Sequence, residues 1–245
     1  MQERIGEHPL WHFPLFGAVH ADTVAITWLV MAITLLVLGV LAASHPRTGL
    51  TKRYTLLELI VTTLGDLATG ILGKNGRPFV PFIIAIFVFI FLLDEIGLFP
   101  FPGLKSPTSD INTTAALALT TFFLIQAVGI KNKGFIGYYK HLFKADPWWL
   151  GVLMAPINII DELARPVTLA MRLFGNIFAG EVLMIVVLTV IAAHLSIGIV
   201  PISKIATIFP LGVTLFNLAI GLIQALVFTL LSIAYLITPT AETEH

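Results

Sequence analysis

Arg172 stands in the middle of a long apolar run, with no acidic residue three or four positions away on either side. Such a guanidinium lacks a local partner, so its counter-ion must come from another helix or another chain. On a helix at 100° per residue, Asp161, Arg165, Thr168 and Asn176 fall within about 40° of Arg172. One face therefore carries a polar stripe about four turns long, with Glu162 beside it and Glu181 on the opposite face. Farther along, Asn217, Gly221, Gln224 and Tyr235 share a face of a second apolar run. Two facing polar stripes suit either a hydrated path or a polar seam. Plainer readings stand beside these. Asp161 and Arg165 form an i,i+4 pair, which favours a local structural ion pair. Asn217 and Gln224 suit hydrogen bonding between membrane helices. Tyr235 suits an interface anchor. Asp94 and Glu95 lie near the end of an apolar segment, where facing water would account for them. Arg172 has no such plain reading.

Other chemistries are missing. The seven histidines show no metal-ligand spacing on a helix, and there is no GxSxG, P-loop or HExxH motif. The chain has no Cys, which excludes disulfides, thiolate zinc sites and iron–sulfur clusters. No metal and no cofactor is expected. Fourteen Lys and Arg balance fourteen Asp and Glu, so no net field attracts nucleic acid.

The elements that carry these residues must be membrane helices. Of 245 residues, 57% are hydrophobic and 11% charged, against roughly 25% charged in a soluble domain. With a mean hydropathy of +0.95, too few polar groups remain to cover a water-soluble globule. The fold class is an all-α polytopic membrane protein in a single membrane domain, 1–245. Segment 24–43 matches the length of one span and ends at Ser44-His45-Pro46-Arg47. Segment 54–73 places Glu58, Thr62, Asp66 and Thr69 on one stripe and Leu57, Ile60, Val61, Leu64 and Leu67 on the other face. Two carboxylates inside lipid are expensive, so this reads as an amphipathic helix on the bilayer or against the bundle, the alternative being a true span with its polar stripe buried. Segments 79–98 and 111–130 form a hairpin across a turn rich in Pro, Gly and Ser, and Asp110 is placed to cap the second helix. Segments 147–193 and 201–237 are too long for upright spans. The shorter, at 1.5 Å per residue, would reach about 55 Å against a core of about 30 Å. Both must tilt or break, with Pro156, Pro166 and Pro210 as candidate kinks.

The N-terminal 20 residues mix charged and aromatic side chains and carry no cleavable signal pattern; they suit the membrane–water boundary. Basic residues set the orientation. Arg47, Lys52, Arg53, Lys74, Arg77, Lys131, Lys133, Lys140 and Lys144 fall on one side of a five-span layout, and Arg4, Lys105 and Lys204 on the other. The N-terminus is then outside and the C-terminus cytoplasmic.

The stretch from Arg165 to Glu181, with its Arg172-Leu173-Phe174-Gly175-Asn176 run followed by Ala179-Gly180-Glu181, closely resembles the signature of subunit a of F-type ATP synthases. Gly97-Leu98-Phe99-Pro100, Asp110-Ile111-Asn112-Thr113-Thr114 and the stretch from Gln224 to Leu236 resemble further parts of that family, and the likeness covers nearly the whole chain. The resemblance implies one span, a surface helix, a hairpin and two long tilted helices against a rotor. It implies that Arg172 is the essential stator charge facing a carboxylate of the c-subunit ring. It assigns Asn176, Glu181, Asn217 and Gln224 to the proton path, and Asp161 and Glu162 to the cytoplasmic access. Position 217 varies in the family, and Arg165 keeps a charge that is often Lys. Arg165, Thr168 and Tyr235 would support the site.

The implied function is proton translocation through two offset half channels, coupled to ATP synthesis, with no ATP-hydrolysing site in this chain. The outer half channel would be built from Glu181, Asn217 and their hairpin neighbours, the inner one from the Asp161 and Glu162 end. The implied partners are the c ring, peripheral-stalk b subunits and the remainder of the synthase, in the lipid bilayer of a bacterial plasma (inner) membrane. The rival class is an independent ion or anion transporter in which Arg172 binds the substrate. Against it, the sequence shows no inverted repeat. A membrane enzyme holding a phosphate on Arg172 would need a nucleophile or metal cluster beside it, and none is evident.

Overall fold

The computed structural model describes residues 10–13, 17–43, 52–98, 106–143, 148–197 and 203–240. A small antiparallel hairpin, β1 (Leu10–Phe13) and β2 (Gly17–His20), pairs Leu10 with His20 and Phe13 with Gly17. The elements described after it are helices: α1 (Ala21–Ala43), α2 (Lys52–Leu72), α3 (Val80–Glu95), α4 (Ile111–Lys133), α5 (Phe135–Tyr139), α6 (Trp148–Ile197) and α7 (Ser203–Thr240), with short 3-10 turns between several of them. Among the described residues, five helices are long and apolar enough to cross a membrane, and α2 is not one of them. The chain is a multi-pass, all-α membrane protein. The stop at Pro46–Arg47, most of the turn that opens at Pro100, and Lys105, Lys144 and His45 lie outside the described residues.

Helix α6 has 50 residues and α7 has 38. The apolar stretch of α6 alone, 39 residues from Leu153 to Ile191, would be about 58 Å long, nearly twice the hydrocarbon thickness. It can lie in a bilayer only at a steep tilt. Pro156, Pro166 and Pro210 sit inside helices that continue through them. The candidate kinks are therefore not breaks.

Helices α3, α4, α6 and α7 pack together around one apolar core that includes Ile83, Phe87 and Ile90 of α3, Ile125 of α4, Leu173 of α6 and Phe228 of α7. Helix α2 leans on α3 and α7. It buries Leu64, Ala68 and Leu72, one turn apart on one face, and turns Glu58, Thr62 and Asp66 outward. That is the amphipathic division its sequence carries, with the apolar face against the bundle. Asp110 caps α4: its Oδ1 accepts from the Asn112 backbone N–H at 2.9 Å. Its other oxygen meets His20 Nδ1 at 2.6 Å, fastening the start of α4 to the start of α1.

One expectation is overturned. Asp94 and Glu95 do not face water; they are 3% and 7% exposed. The end of α3 is covered by α7 and by the segment at Ser106, whose Oγ donates to the Leu93 carbonyl at 2.8 Å. An apolar run that ends in two acids looks like a span reaching solvent, but this end is roofed by other parts of the chain.

Candidate functional site

Helices α6 and α7 run antiparallel, and their polar stripes meet in two groups. In the first, Asn176 Nδ2 donates to Gln224 Oε1 at 2.7 Å. One turn on, Asn217 Nδ2 reaches the Gly180 carbonyl at 3.4 Å. Gly180 leaves room for this approach: a Cβ at that position would lie 2.6 Å from Asn217 Oδ1, so the amide would have to move. Beside these residues lies a small cavity of about 30 Å³, lined by Asp94, Ser106, Asn176, Gly180, Glu181 and Asn217. A space of that size admits a water molecule, and its lining is polar enough to hold one. Asn176, Gly180, Ile177 and Glu181 span an arc of about 140° on α6, so Asn176 and Glu181 bracket the face turned to the cavity. Glu181 itself is half-buried.

The second group lies toward the N-terminal half of α6. Arg165 pairs with Glu162 at 3.0 Å and with Asp161 at 3.5 Å. Its guanidinium sits over the Tyr235 ring, 5.0 Å from the centroid, a cation–π contact. Tyr235 is thus a partner of Arg165 in the helix seam. The two acids differ. Asp161 is 70% exposed on its side chain, whereas Glu162 is buried and accepts a 2.6 Å hydrogen bond from Gln126 Nε2 on α4. Gln126 in turn accepts from Tyr139 O–H at 3.3 Å. A chain of polar contacts therefore runs Tyr139–Gln126–Glu162–Arg165–Tyr235 across four helices. Burial holds the phenol of neighbouring Tyr138 up at about 12, keeping it a neutral proton donor near this chain.

Gln126 and Tyr139 were not singled out from the sequence. Gln126 gave a signal, being a lone amide in the apolar middle of α4, of the same kind that drew attention to Gln224. Replacing Gln126 with Leu leaves a buried Glu162 oxygen without its donor, a loss of about 1–3 kcal/mol. The chain is expected to unfold at lower denaturant or detergent stress than the wild type. An unchanged midpoint would mean that Arg165 alone satisfies Glu162.

Arg172 belongs to neither group. It lies about 6 Å along α6 from Asn176 and about 10 Å from Arg165, by helical rise. Its side chain is exposed on the outside of the bundle, and among the described residues no carboxylate lies within ion-pair distance. Thr168, on the same stripe, is exposed as well, with its hydroxyl turned to the Ala164 and Arg165 carbonyls. Behind Arg172 the packing is apolar. The contacts Asn176–Gln224 and Arg165–Tyr235 fix the register of α6 on α7, and Phe228 comes level with Arg172. Leu169, Leu173 and Phe228 are buried there in one cluster. An apolar layer thus lies between the two polar groups, with the Arg172 cation on its outer surface. That surface carries Val167, Met171 and Phe178.

The family model for the ATP synthase A chain matches residues 24–237. Among curated proteins, the ATP synthase subunit a of Moorella thermoacetica is 36% identical over 216 residues, covering 88% of each chain. ATP synthase subunit a 3 of Pelobacter propionicus is 37% identical over 216 residues, 88% of this chain and 86% of its own. ATP synthase subunit a of Trichlorobacter lovleyi is 34% identical over 227 residues, 93% and 90% of the two chains.

Proposed function

This chain belongs to the ATP synthase A chain family, and from that premise we propose that it carries protons past a rotating ring of c subunits as the stator of an F-type ATP synthase. The observation that carries the reading is Arg172: an exposed cation with no partner among the described residues, beside exposed apolar side chains, between two polar groups that an apolar layer separates. A charge in that place needs an anion from another chain. A carboxylate on each rotor subunit fits. Facing lipid it must be neutral, because a buried lone charge is too costly. Facing Arg172 it can ionise, because an opposite charge favours the charged form.

The cavity group at Asn176, Glu181, Asn217 and Gln224 delivers protons from the outer side. The group at Glu162, Arg165 and Asp161 serves the cytoplasmic side, with exposed Asp161 at its mouth. Protons cross between the two groups on the rotor, with the apolar side chains of Leu169, Leu173 and Phe228 standing between the groups inside this chain. Arg172 suits the division because a guanidinium keeps its proton, whereas a desolvated lysine can release one. Each charge crossing gains about 2.3 kcal/mol per 100 mV. The peripheral-stalk b subunits and the bacterial plasma membrane complete the reading.

The test is reconstitution. The intact assembly purified through a tag on this chain is expected to acidify liposomes on ATP addition, and the chain alone to move no ions. Anion or proton transport by the chain alone would replace this reading with the independent transporter.

Orientation is tested separately. The chain has no cysteine, so single cysteines at Thr51 and Asn75 report without background. Both are expected to react with an impermeant thiol reagent from the cytoplasmic side only, because α2 lies along the bundle with basic residues at both ends. Labelling from opposite sides would make α2 a span and reverse every later helix.

A further inference from the structure

The polar stripe of α7 has a gap. Asn217 and Gln224 carry amides, but Gly221 between them carries nothing. The space is occupied from another helix: a Cβ built at Gly221 would collide with Glu95 Oε1, and would lie 3.3 Å from Asp94 Cβ. Glu95 is 7% exposed, and among the described residues neither of its carboxyl oxygens has a hydrogen-bond partner. The amide Nε2 of Gln224 and Oδ1 of Asn217, on the flanking turns, are likewise buried and unpartnered. Neighbouring Asp94 opens onto the cavity that Glu181 lines.

Packing alone gives no reason for a carboxyl here. A buried polar group without partners costs stability, and Leu or Met would fill the space without that cost. Proton delivery does give a reason. Asn176, Asn217 and Gln224 bear amides, which can orient a proton or a water but cannot carry a net proton away. A path along them needs titratable groups, and among the described residues this region offers Glu181, Asp94 and Glu95.

We propose that Glu95 is a proton-carrying residue of the outer path, admitted to the face of α7 by Gly221. It takes a proton on one carboxyl oxygen from the cavity side, at Asp94 or a water held there, and gives it up to a water oriented by the Asn176–Gln224 pair, which passes a proton to the rotor carboxylate. At each transfer one O–H bond breaks as one forms. The inference rests on the proton-translocating reading above and adds to it a titratable group on α3.

The test uses the intact assembly in liposomes. Glu95→Gln keeps the volume and removes the titration; it is expected to lower ATP-driven proton uptake at least tenfold while assembly and passive tightness are kept. Glu95→Asp is expected to retain more than Glu95→Gln. A carboxyl supplied from the other side of the gap, Glu95→Gly with Gly221→Glu, is expected to recover uptake, whereas Glu95→Gly with Gly221→Gln is not. Full uptake by Glu95→Gln would overturn the proposal, as would equal recovery by the two double variants. If Glu95→Gln fails to assemble, the two double variants decide the matter between themselves. Arg172→Ala run in parallel separates the two readings. Loss of uptake there with a fully active Glu95→Gln sinks only the relay, whereas an active Arg172→Ala sinks the translocation reading beneath it.

Discussion

Arg172→Ala is expected to abolish coupled turnover in both directions while the assembly still forms. The two halves of that expectation have separate causes. Assembly is kept because Arg172 is exposed and, among the described residues, makes no ion pair or hydrogen bond within the chain. Removing such a side chain from a surface changes stability by about 0.5 kcal/mol or less. Turnover is lost because a rotor carboxylate then meets apolar Val167 and Met171 and the neutral Thr168 and Asn176, and no cation at that level keeps it ionised. A fall to below about 1% of wild type corresponds to about 2.7 kcal/mol or more of lost stabilisation. That is well within what a single charge contributes when its partner is desolvated. Arg172→Lys is expected to fail as well, since a lysine can give up its proton in that setting. The measurement is ATP-driven proton uptake and gradient-driven ATP formation in the same liposomes, with subunit content checked in the purified assembly. Coupled turnover of more than a few per cent would remove Arg172 from the mechanism.

Arg172 was legible because it breaks a local rule. A lone charge in an apolar helix has no satisfactory partner at any nearby position, and that can be read from spacing alone. The all-α membrane class was equally legible, because hydropathy and helix length follow directly from the solvent a membrane provides. What spacing cannot reveal is which helix covers which. Glu162 and Asp161 are adjacent and looked equivalent, yet α4 covers one and leaves the other exposed. Gln126 became meaningful only when α4 came to lie against α6. Asp94 and Glu95 were misread for the same reason: the roof over them is built from Ser106 and from α7, more than ten and more than a hundred residues away. The N-terminal hairpin was missed because four residues per strand are too few to display a period. Local chemistry marks a residue as unusual; only the tertiary arrangement says whether it is buried and with whom.

Glu181→Gln is expected to slow turnover strongly while leaving the membrane tight. On α6, Glu181 lies nine positions beyond Arg172, which is half a circle away at 100° per residue. It is half-buried and lines the cavity shared with Asp94, Asn176 and Asn217; in the function proposed above, that cavity is fed from the outer side and not from the rotor face. Gln has nearly the same shape and keeps the hydrogen-bonding capacity, so the cavity and the Asn217–Gly180 contact should survive. What is lost is the ability to hold and release a proton. Loss of a positioned proton-transfer group costs about a hundredfold or more in rate. With Glu181 replaced, Asp94 and Glu95 remain the titratable groups in this region among the described residues. Residual turnover would therefore fall further in a Glu181→Gln, Glu95→Gln double variant. Tightness should persist because the barrier to leakage is the layer of Leu169, Leu173 and Phe228 together with the charge of Arg172, and neither is touched. Passive proton permeability of liposomes holding the variant assembly separates the two roles. A leaky, uncoupled Glu181→Gln would move Glu181 from the supply path to the barrier, and the apolar layer at Phe228 would no longer account for the separation of the two sides.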